Sequence, residues 1–450
     1  MRLCEALDIQ RGDVVSFSGG GGKTSALVRL GYELREMGWR VLATTTTRIA
    51  RKELDLFPHA AKWQWNLLQG ARELEPLLDD YGLVFVYQEI RGEKVSGIPI
   101  ERVSRLVDEM NADVLLVEAD GSRRLPLKAP RTYEPVWPTD TTVAVPVAGL
   151  DALGQPLDSN VVYNPDPIIE RYGFHEGDPI QPAWVAQIVR DETLGLKDVP
   201  ATARVVPLLN KIDRPGLSMS RARKIAQMIL KEPRVHSVVL GSMHNEQNPV
   251  AEVQRRIGAI VLAGGLSARM GSSKMLLPWG DRTVIEAVAQ KLVAFHLADV
   301  VVVTGYKAGE ISAQLKRYPV RTVFNTMYSK GEMLSSLRVG LRALDDNISA
   351  ALVVMGDQPQ ISVRIVHRVL TTAAQGPESI VAPYYMGRRG HPILIPQRYW
   401  KALLRLRHGA PRDVINQHPI TAVNVDTDSI LRDIDTPEQY AFEKKLAGLE

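Results

Sequence analysis

Twice along this chain, a short apolar run leads directly into a glycine-rich loop that carries a lysine. The first run covers residues 13–18 and is followed by GGGGK at residues 19–23. The second covers residues 257–262 and is followed by AGGLSARMGSSK at residues 263–274. A strand that turns into a glycine-rich loop is typical of parallel α/β sheets that bind phosphates. Because the pattern starts afresh, we predict two α/β domains, each a mostly parallel sheet with helices on both faces.

Further apolar runs support this organisation, and 450 residues are too many for one ordinary core. The polar segment at residues 241–255 contains a proline and is interpreted as a linker. The domains are therefore predicted at residues 1–240 and 256–450. One helix is expected over residues 284–296, and another has Leu27, Leu30, Leu34 and Met37 on one face. The remaining strands are expected at residues 41–45, 114–117, 142–147, 205–209, 235–240, 299–304, 320–325 and 350–355.

The composition excludes several classes of function. The 55 Lys and Arg residues are mixed with 51 Asp and Glu, which favours anionic small molecules over nucleic acid as partners. Cys4 is the only cysteine, so an internal disulfide and a thiolate zinc site are both excluded. No stretch approaches the ~20 apolar residues of a membrane span, and the N-terminus lacks the apolar core of a signal peptide. We therefore expect a cytoplasmic protein with no membrane partner.

The first glycine loop has the features of a phosphate-binding P-loop. Gly21, Gly22, Lys23 and Thr24 follow a strand and open an amphipathic helix. In a P-loop the lysine contacts the β- and γ-phosphates and the threonine binds Mg²⁺. Residue 17 is Phe, where GxxxxGK[ST] requires glycine, and a flexible turn before a helix is the alternative.

Acidic and amide side chains end other predicted strands of the first half. Glu118 and Asp120 end one strand as in a Walker B site, so Asp120 is a second candidate for Mg²⁺. Asn210, Lys211 and Asp213 form NKID, which resembles the guanine-reading NKxD element of GTPases, and an Asn/Asp turn explains it equally well. The threonines at residues 44–47 are either phosphate contacts or ordinary strand residues.

The second glycine loop has a more specific spacing, AGG-x3-RMG-x2-K. Glycines let backbone N–H groups close around phosphate oxygens, so we expect nucleotide contacts from this loop. Arg269 and Lys274 can neutralise a triphosphate. The arginine can donate two parallel hydrogen bonds to a phosphate, and the lysine supplies a compact positive charge. The expected loop contacts come from Ala263, Gly264, Gly265 and Gly271.

Two aspartates of the second half are candidate Mg²⁺ ligands. Asp357 follows an apolar strand, and ligands of open α/β sheets bind where strands end. Asp435 lies in DIDTP near the C-terminus. Mg²⁺ is held by one or two carboxylates together with substrate phosphates, so this pair suffices. The alternative for Asp435 is helix capping, since Asp435 or Thr436 precedes Pro437.

Four segments of residues 256–450, in this order, resemble the MobA-like nucleotidyltransferases: VLAGGLSARMGSSK, VVMGDQP, RRGHPILIP and DIDTPEQY. GDQP, GHP, and Asn325 with residues 331–337 are most similar to the molybdenum cofactor cytidylyltransferases. The resemblance implies a Rossmann-like fold that transfers CMP from CTP to the terminal phosphate of Mo-molybdopterin and releases pyrophosphate. It implies catalytic roles for Lys274, Arg269, Asp357 and Asp435, and contacts on the pterin side from Ser335, Ser336 and His391.

This resemblance leaves alternatives open. The cytidylyltransferases usually read LAAG where this chain reads LAGG at residues 262–265, and LAGG is typical of the related guanylyltransferases, which use GTP. His391 is also explained as a packed histidine before a proline turn. A sugar-phosphate nucleotidyltransferase would share the loop. A cofactor-carrying chaperone would bind the finished cofactor without transferase activity.

The segments GGGGKTS, ATTTTRI, VEADGSRRLPLKAPRTYEPVWP and LLNKID resemble the YqeC-like accessory proteins of selenium-dependent molybdenum hydroxylases. This resemblance spans about residues 1–240. It implies a P-loop-like domain that binds ATP or GTP and helps to mature a molybdenum hydroxylase client. Both halves then serve one pathway, with Mg²⁺, nucleotide and Mo-molybdopterin as ligands.

Overall fold

The chain divides into two units in the computed structural model, Met1–Gln254 and Arg255–Glu450. The structure describes residues 1–63, 67–103, 106, 111–295, 297–330, 333–406 and 409–449. Each unit contains one large sheet flanked by helices, which is the class of fold that the two glycine-loop patterns predicted.

The main sheet of the first unit has the strand order β15-β14-β13-β10-β1-β8-β2-β5-β4, with β12 beside β10. All its pairings from β4 to β14 are parallel. The strands of this unit are β1 (Val14–Gly19), β2 (Val41–Thr45), β3 (Arg48–Ala50), β4 (His59–Lys62), β5 (Leu83–Tyr87), β6 (Glu89–Arg91), β7 (Lys94–Ser96), β8 (Val114–Glu118), β9 (Leu127–Lys128), β10 (Val143–Gly149), β11 (Val162–Tyr163), β12 (Arg204–Val205), β13 (Leu208–Asn210), β14 (Ser237–Gly241) and β15 (Val250–Arg255).

Helices cover both faces of this sheet because successive strand residues point to opposite sides. Val15 and Phe17 pack against the apolar side of α2, while Val14 lies in a separate apolar cluster on the other face. Leu27, Leu30 and Leu34 are buried as predicted, but Met37 lies beyond the end of α2 and is 49% exposed. The helices are α1 (Leu3–Ala6), α2 (Lys23–Glu36), α3 (Leu67–Tyr81), α4 (Ile100–Val103), α5 (Asp166–Tyr172), α6 (Pro182–Arg190) and α7 (Met219–Ile229).

The main sheet of the second unit has the order β20-β19-β16-β21-β24-β22-β23, with β25 beside β22. It is parallel from β20 to β21, and β24 then runs antiparallel to β21. The strands are β16 (Ile257–Ala263), β17 (Pro278–Trp279), β18 (Arg282–Thr283), β19 (Asp299–Thr304), β20 (Arg321–Phe324), β21 (Ala350–Met355), β22 (Ile380–Tyr385), β23 (Arg388–Arg389), β24 (Ile393–Pro396) and β25 (Ile420–Asn424).

Both faces of the second sheet are covered. Val261 and Leu352 pack with α8, α9 and α11 on one face, and Ile260 and Val353 pack with α10 and α12 on the other. In the part of the chain that the structure describes, no helix is both long and apolar enough to cross a membrane. The helices are α8 (Val284–Val293), α9 (Ala308–Leu315), α10 (Met333–Ala343), α11 (Val363–Gln375), α12 (Trp400–Arg405), α13 (Pro411–Ile415) and α14 (Pro437–Leu446).

Most predicted strands agree with the structure to within two residues, and those at residues 41–45, 299–304 and 350–355 agree at both ends. The run at residues 205–209 is instead two short strands, β12 and β13. Pro207 lies between them, and a proline has no N–H group to donate to a neighbouring strand. Helix α8 ends at Val293, and His296, the predicted end, lies outside the described residues.

The linker interpretation of residues 241–255 does not hold for its last six residues. Residues 250–255 form β15, the edge strand of the first sheet, and the compact unit extends to Gln254. Val250 and Val253 are buried in the core of that unit. A short strand with alternating polar residues shows little apolar character in sequence, so its burial was not predicted.

Replacing Val253 by alanine tests whether β15 belongs to the first domain. We expect Val253→Ala to lower the free energy of unfolding of that domain by roughly 1–3 kcal/mol, because buried methyl groups are lost. Urea denaturation measures this change. Gln247→Ala, at an exposed position in the same segment, should have no effect. Equal stability of both variants would mean that the segment behaves as a linker.

Candidate functional site

The parallel pairing of β16 with β21 forms the candidate site of the second domain. Both strands end at the same edge of the sheet, so the glycine loop after β16 and Asp357 after β21 come together. Gly356 is required for this approach, because a Cβ there would lie 2.9 Å from Leu262 O. The sheet therefore brings a phosphate-binding type of loop to a carboxylate.

Lys274 lies at the centre of this site. Its side chain is buried, and its Nζ donates hydrogen bonds to Asp357 Oδ2 and, at 2.9 Å, to Asp435 Oδ1. Arg269 lies in a 3-10 turn of the same loop and donates to Asp435 Oδ2 at 2.6 Å. The four residues predicted as catalytic are thus in one cluster, although they are separated by up to 166 positions in sequence.

Asp435 is positioned by the start of α14. Thr436 is the N-cap residue and accepts a hydrogen bond from Gln439 N, and Pro437 follows it at the first helical position. Gln439 Oε1 accepts from Asp435 N at 2.9 Å. The capping interpretation therefore holds for Thr436, and it leaves the Asp435 carboxylate free to pair with Lys274.

The charges of this cluster stabilise one another. Burial opposes the charge on Lys274, but the carboxylates of Asp357 and Asp435 outweigh burial and raise its pKa. Burial also opposes the charge on Asp435, but hydrogen bonds from Lys274 and the charge of Arg269 lower its pKa. Burial and the charge of Asp357 raise the pKa of Asp433. Lys274 and Asp435 are therefore both charged at neutral pH.

The carboxylates fit a magnesium ion. Asp357 Oδ1 is buried and has no hydrogen-bond partner among the described residues, so one oxygen of this carboxylate is available to a cation. Asp435 contacts the same lysine, with its Oδ1 2.9 Å from Lys274 Nζ. No group of three or more His, Cys, Asp and Glu within the described ranges has the arrangement of a metal site. Two carboxylates plus substrate phosphates are the usual ligands of Mg²⁺.

The glycine loop itself has one tight and one open position. A Cβ at Gly264 would lie 3.0 Å from Ser336 Oγ, whereas a Cβ at Gly265 would meet no atom within 4 Å. Gly271 has a positive φ of 67°, which glycine adopts without strain. The Ala263 side chain is buried in the core, so a nucleotide contact from this residue can involve only its backbone.

Ser335 and Ser336 lie at the start of α10, beside the glycine loop. Their hydroxyl oxygens accept hydrogen bonds from Asn325 Nδ2 at 2.9 and 3.0 Å. Asn325 is buried and follows β20, so it links that strand to α10. Residues 331 and 332, the first two of the segment most similar to the cytidylyltransferases, lie outside the described residues.

The glycine loop of the first domain packs closely against neighbouring backbone. A Cβ at Gly21 would lie 2.2 Å from Gly149 N, and one at Gly22 would lie 2.3 Å from Asn210 Nδ2. Both glycines have positive φ angles, 78° and 125°. Only glycine fits at these two positions, so these two glycines are required for packing, and flexibility alone does not explain them.

Two amides of this loop are already used by the protein. Gly20 N and Gly21 N donate to Val147 O and Leu125 O, both at 2.9 Å. The first N–H groups of α2, which begins at Lys23, have no partner within the helix. An anion would therefore bind at the start of α2 rather than within the glycine run.

Lys23 lies between two acids of the neighbouring strand end. Its Nζ donates to Gly19 O at 2.6 Å and lies 3.2 Å from Asp120 Oδ1 and 3.9 Å from Glu118 Oε1. Thr24 Oγ1 donates to Glu118 Oε2 at 2.9 Å. Burial raises the pKa of Glu118, although Lys23 and Thr24 oppose this. The structure thus brings together the P-loop and Walker B candidates that the sequence predicted.

The NKID element is also in contact with the glycine loop. Asn210 Nδ2 donates to Gly21 O at 2.8 Å. Lys211 Nζ pairs with Asp151 Oδ2 at 2.7 Å, and Asp213 follows three residues after the end of β13. The threonines at residues 44–46 instead donate their hydroxyls to backbone carbonyls, which favours the packing interpretation for them.

Comparison with known families gives two matches. Residues 15–166 match the YqeC protein family, and residues 259–422 match the MobA-like NTP transferase domain. The chain joins a YqeC domain to a MobA-like NTP transferase domain. It therefore belongs to the MobA-like NTP transferase family through its second domain, which is a nucleotidyltransferase.

Some relatives match the first domain and others match the second. "Uncharacterized protein YqeC" of Escherichia coli is 28% identical over 52% of this chain and 89% of its own length. The molybdenum cofactor cytidylyltransferase of E. coli is 26% identical over 42% of this chain and 96% of its own. Nicotine blue oxidoreductase of Paenarthrobacter nicotinovorans is 31% identical over 41% of this chain and 94% of its own length. The solved structure of Rv0371c from Mycobacterium tuberculosis is 27% identical, covers 42% of this chain and 98% of its own, and has a TM-score of 0.37.

Several residues of both domains were missed by sequence analysis. In the YqeC domain, Lys128 Nζ lies 3.1 Å from Asp120 Oδ2 and 2.7 Å from Glu134 Oε2, and Ser122 accepts from Lys23. These residues lie in a segment with little regular structure, so neither a helical nor a strand periodicity indicates that their side chains meet. In the NTP transferase domain, the resemblance includes Asn325 but implies no role for it. Its place at the end of a predicted strand was a usable signal, because ligands bind at that edge.

His391 lies two residues before β24, which pairs with β21, and its peptide bond to Pro392 is cis. Burial, and then the charge of Arg389, lower the pKa of His391 to about 4. The imidazole is therefore neutral at pH 7. A partly buried neutral histidine fits the packing interpretation, and its role toward the pterin stays a prediction.

Folding of the NTP transferase domain should depend on pH through His391. In the unfolded chain a histidine has a pKa of about 6.5, so this group stabilises the fold fully above that pH and loses its contribution as the pH falls toward 4. Urea denaturation should show a loss of up to about 3 kcal/mol over this range. His391→Gln should remove that loss, whereas the exposed His367→Gln should not. If the free energy of unfolding of His391→Gln decreased with falling pH as steeply as that of the wild type, the prediction would be wrong.

Proposed function

We propose that the second domain is a molybdenum cofactor cytidylyltransferase, which transfers CMP from CTP to Mo-molybdopterin and releases pyrophosphate. The observation that carries this proposal is Lys274 between Asp357 and Asp435, with Arg269 on the same carboxylate. This cluster lies beside a glycine loop at the carboxyl edge of a parallel sheet, where nucleotide ligands bind. The similarity to the E. coli cytidylyltransferase supports the choice of substrate.

The residues act by alignment and charge neutralisation. A terminal phosphate oxygen of the pterin attacks the α-phosphorus of CTP, a new P–O bond forms, and the bond to the oxygen that bridges to the β-phosphate breaks. Lys274 and Arg269 hold the triphosphate and stabilise the charge that develops on pyrophosphate. Asp357 and Asp435 would hold Mg²⁺, which supplies positive charge at the phosphates. The nucleophile is already an anion, so no strong general base is required.

Nucleotide preference provides a second candidate. The LAGG sequence places Gly264 where the cytidylyltransferases usually have alanine, and a guanylyltransferase on the same pterin would use GTP. A Cβ at Gly264 would be only 3.0 Å from Ser336 Oγ. Glycine therefore leaves room beside Ser336 for a larger base, and this is the feature that favours the alternative.

For the first domain we propose a nucleotide-binding accessory role in the maturation of a molybdenum hydroxylase client. The start of α2, Lys23 and Thr24 would bind the phosphates, and Asp120 would lie near Mg²⁺. ATP and GTP are both candidates on these contacts alone. The selenium-dependent hydroxylases named by the resemblance are the class of client to test.

Pyrophosphate release by the full chain tests the transferase. With Mg²⁺ and Mo-molybdopterin, we expect CTP to be used in preference to GTP and ATP. Asp357→Asn should lower kcat by about 10²–10³-fold, because a charge that acts on the phosphates is removed. The exposed Asp346→Asn, before β21 at the opposite edge of the sheet, should have wild-type activity. Preference for GTP would favour the guanylyltransferase, and no release with any nucleotide would favour the cofactor-carrying chaperone.

Gly264→Ala tests the origin of base preference. We expect the ratio of kcat/KM for CTP to that for GTP to rise, because a methyl group beside Ser336 leaves less room for a purine. The comparison uses the same pyrophosphate assay. Gly265→Ala, where a Cβ meets no atom within 4 Å, is the matched control and should not change the ratio. An equal loss with both nucleotides would mean that Gly264 does not set the preference.

A further inference from the structure

One carboxylate of the first domain is held firmly yet remains accessible. Asp213 follows β13, and Ser242 and His244 follow the neighbouring parallel strand β14. Ser242 Oγ donates to Asp213 Oδ1 at 2.6 Å, and His244 Nε2 lies 2.9 Å from Oδ2. The Asp213 side chain is nevertheless 43% exposed, unlike the buried acids around Lys23. It is positioned to contact a ligand.

The position of Asp213 is fixed relative to the phosphate-binding loop by Asn210. The side-chain amide of Asn210 donates to Gly21 O at 2.8 Å, and its oxygen accepts from Lys211 N and Met243 N, both at 2.9 Å. Asn210 is 3% exposed, so these bonds form in the interior. One side chain thus connects the glycine loop to the loops after β13 and β14. An isolated Asn/Asp turn would not require these contacts.

The chemistry of this acceptor distinguishes guanine from adenine. An ionised carboxylate only accepts hydrogen bonds, and its two oxygens can accept about four, of which Ser242 and His244 use two. Partial burial opposes the charge on Asp213, but the hydrogen bond from Ser242 and the charge of His244 outweigh it and lower the pKa of Asp213, so this carboxyl is ionised at neutral pH. Guanine offers adjacent donors at N1 and N2. Adenine offers a donor beside an acceptor, and that acceptor would face a carboxylate.

We propose that the first domain binds a guanine nucleotide, with its phosphates at the start of α2 and the Asp213 carboxylate accepting from N1 and N2 of the base. This rests on the proposed nucleotide site at Lys23 and adds the identity of its ligand. The NKID sequence, for which a turn was an equal alternative, is then a base-reading element. Asn210 is a positioning residue in this arrangement, and Asp213 is the residue that sets specificity.

Equilibrium binding to the full chain tests this proposal. With Mg²⁺ present, GDP should bind at least about tenfold more tightly than ADP, as expected for a good pair of hydrogen bonds to a base. The same titration is repeated with Lys23→Met. Binding that is lost in this variant is assigned to the first domain, and the affinities for GDP and ADP are compared for that binding alone. This separates the first site from nucleotide binding by the transferase domain.

Asp213→Asn gives a change of preference that a structural role cannot produce. An amide at this position presents N–H donors, which suit xanthine because it has a carbonyl in place of the 2-amino group of guanine. We expect the variant to lose at least about tenfold in GDP affinity and to gain at least about tenfold for xanthosine diphosphate. Asp178→Asn is the matched control, since Asp178 is also exposed beside a histidine, His175. It should bind GDP as the wild type does.

The outcomes separate the proposal from the function on which it rests. If no nucleotide binds in a Lys23-dependent manner, the nucleotide-binding role of the first domain fails and this proposal fails with it. If GDP and ADP bind equally to that site, only the guanine proposal is overturned. If Asp213→Asn loses GDP without gaining xanthosine diphosphate, Asp213 does not read the base. Preference for GDP together with the exchanged preference of the variant supports the proposal.

Discussion

In both domains, a lysine from a glycine-rich loop pairs with an aspartate that follows a neighbouring parallel strand. Lys23 lies 3.2 Å from Asp120, and Lys274 donates to Asp357. The pairing depends on strand order, because only parallel neighbours end at the same edge of a sheet. β1 lies beside β8 and β16 beside β21, so each loop meets its acid. The two domains therefore use one arrangement, with different further acids around it.

These lysine–aspartate pairs also affect the stability of the fold. A buried charge is tolerated only when it is paired, and removing one partner of a buried pair commonly costs about 3–5 kcal/mol. Lys274 has two carboxylate partners, and Asp120 has two lysine partners, Lys23 and Lys128. A ligand that brings phosphates and a cation could exchange with these internal partners. In that case the same charges would hold the site together before binding and would neutralise the ligand afterwards.

Much of the fold and of the two candidate sites could be predicted from the sequence. Buried parallel strands are continuous apolar runs, so most were located to within two residues. The spacing of glycines and cations identified both loops, and strand ends identified Asp357 and Asp120. The errors came from segments whose environment is set by distant residues. Residues 250–255 look polar but form an edge strand. For Thr44 the sequence left phosphate contact and strand packing as alternatives, and its hydrogen bond to Val86 O favours packing.

The sequence by itself determined two α/β domains, two glycine loops and the residue types around them, because these depend on local periodicity and on the chemistry of single side chains. Only the tertiary structure decided which side chains meet. It placed Asp435 against Lys274 across 161 positions, and it connected Asn210 to Gly21 across 189. Contacts at that separation depend on strand order and register, which no local pattern records. For the same reason, the sequence left NKID open between base recognition and a turn, and only the pairing of β13 with β14 places Ser242 and His244 against the Asp213 carboxylate.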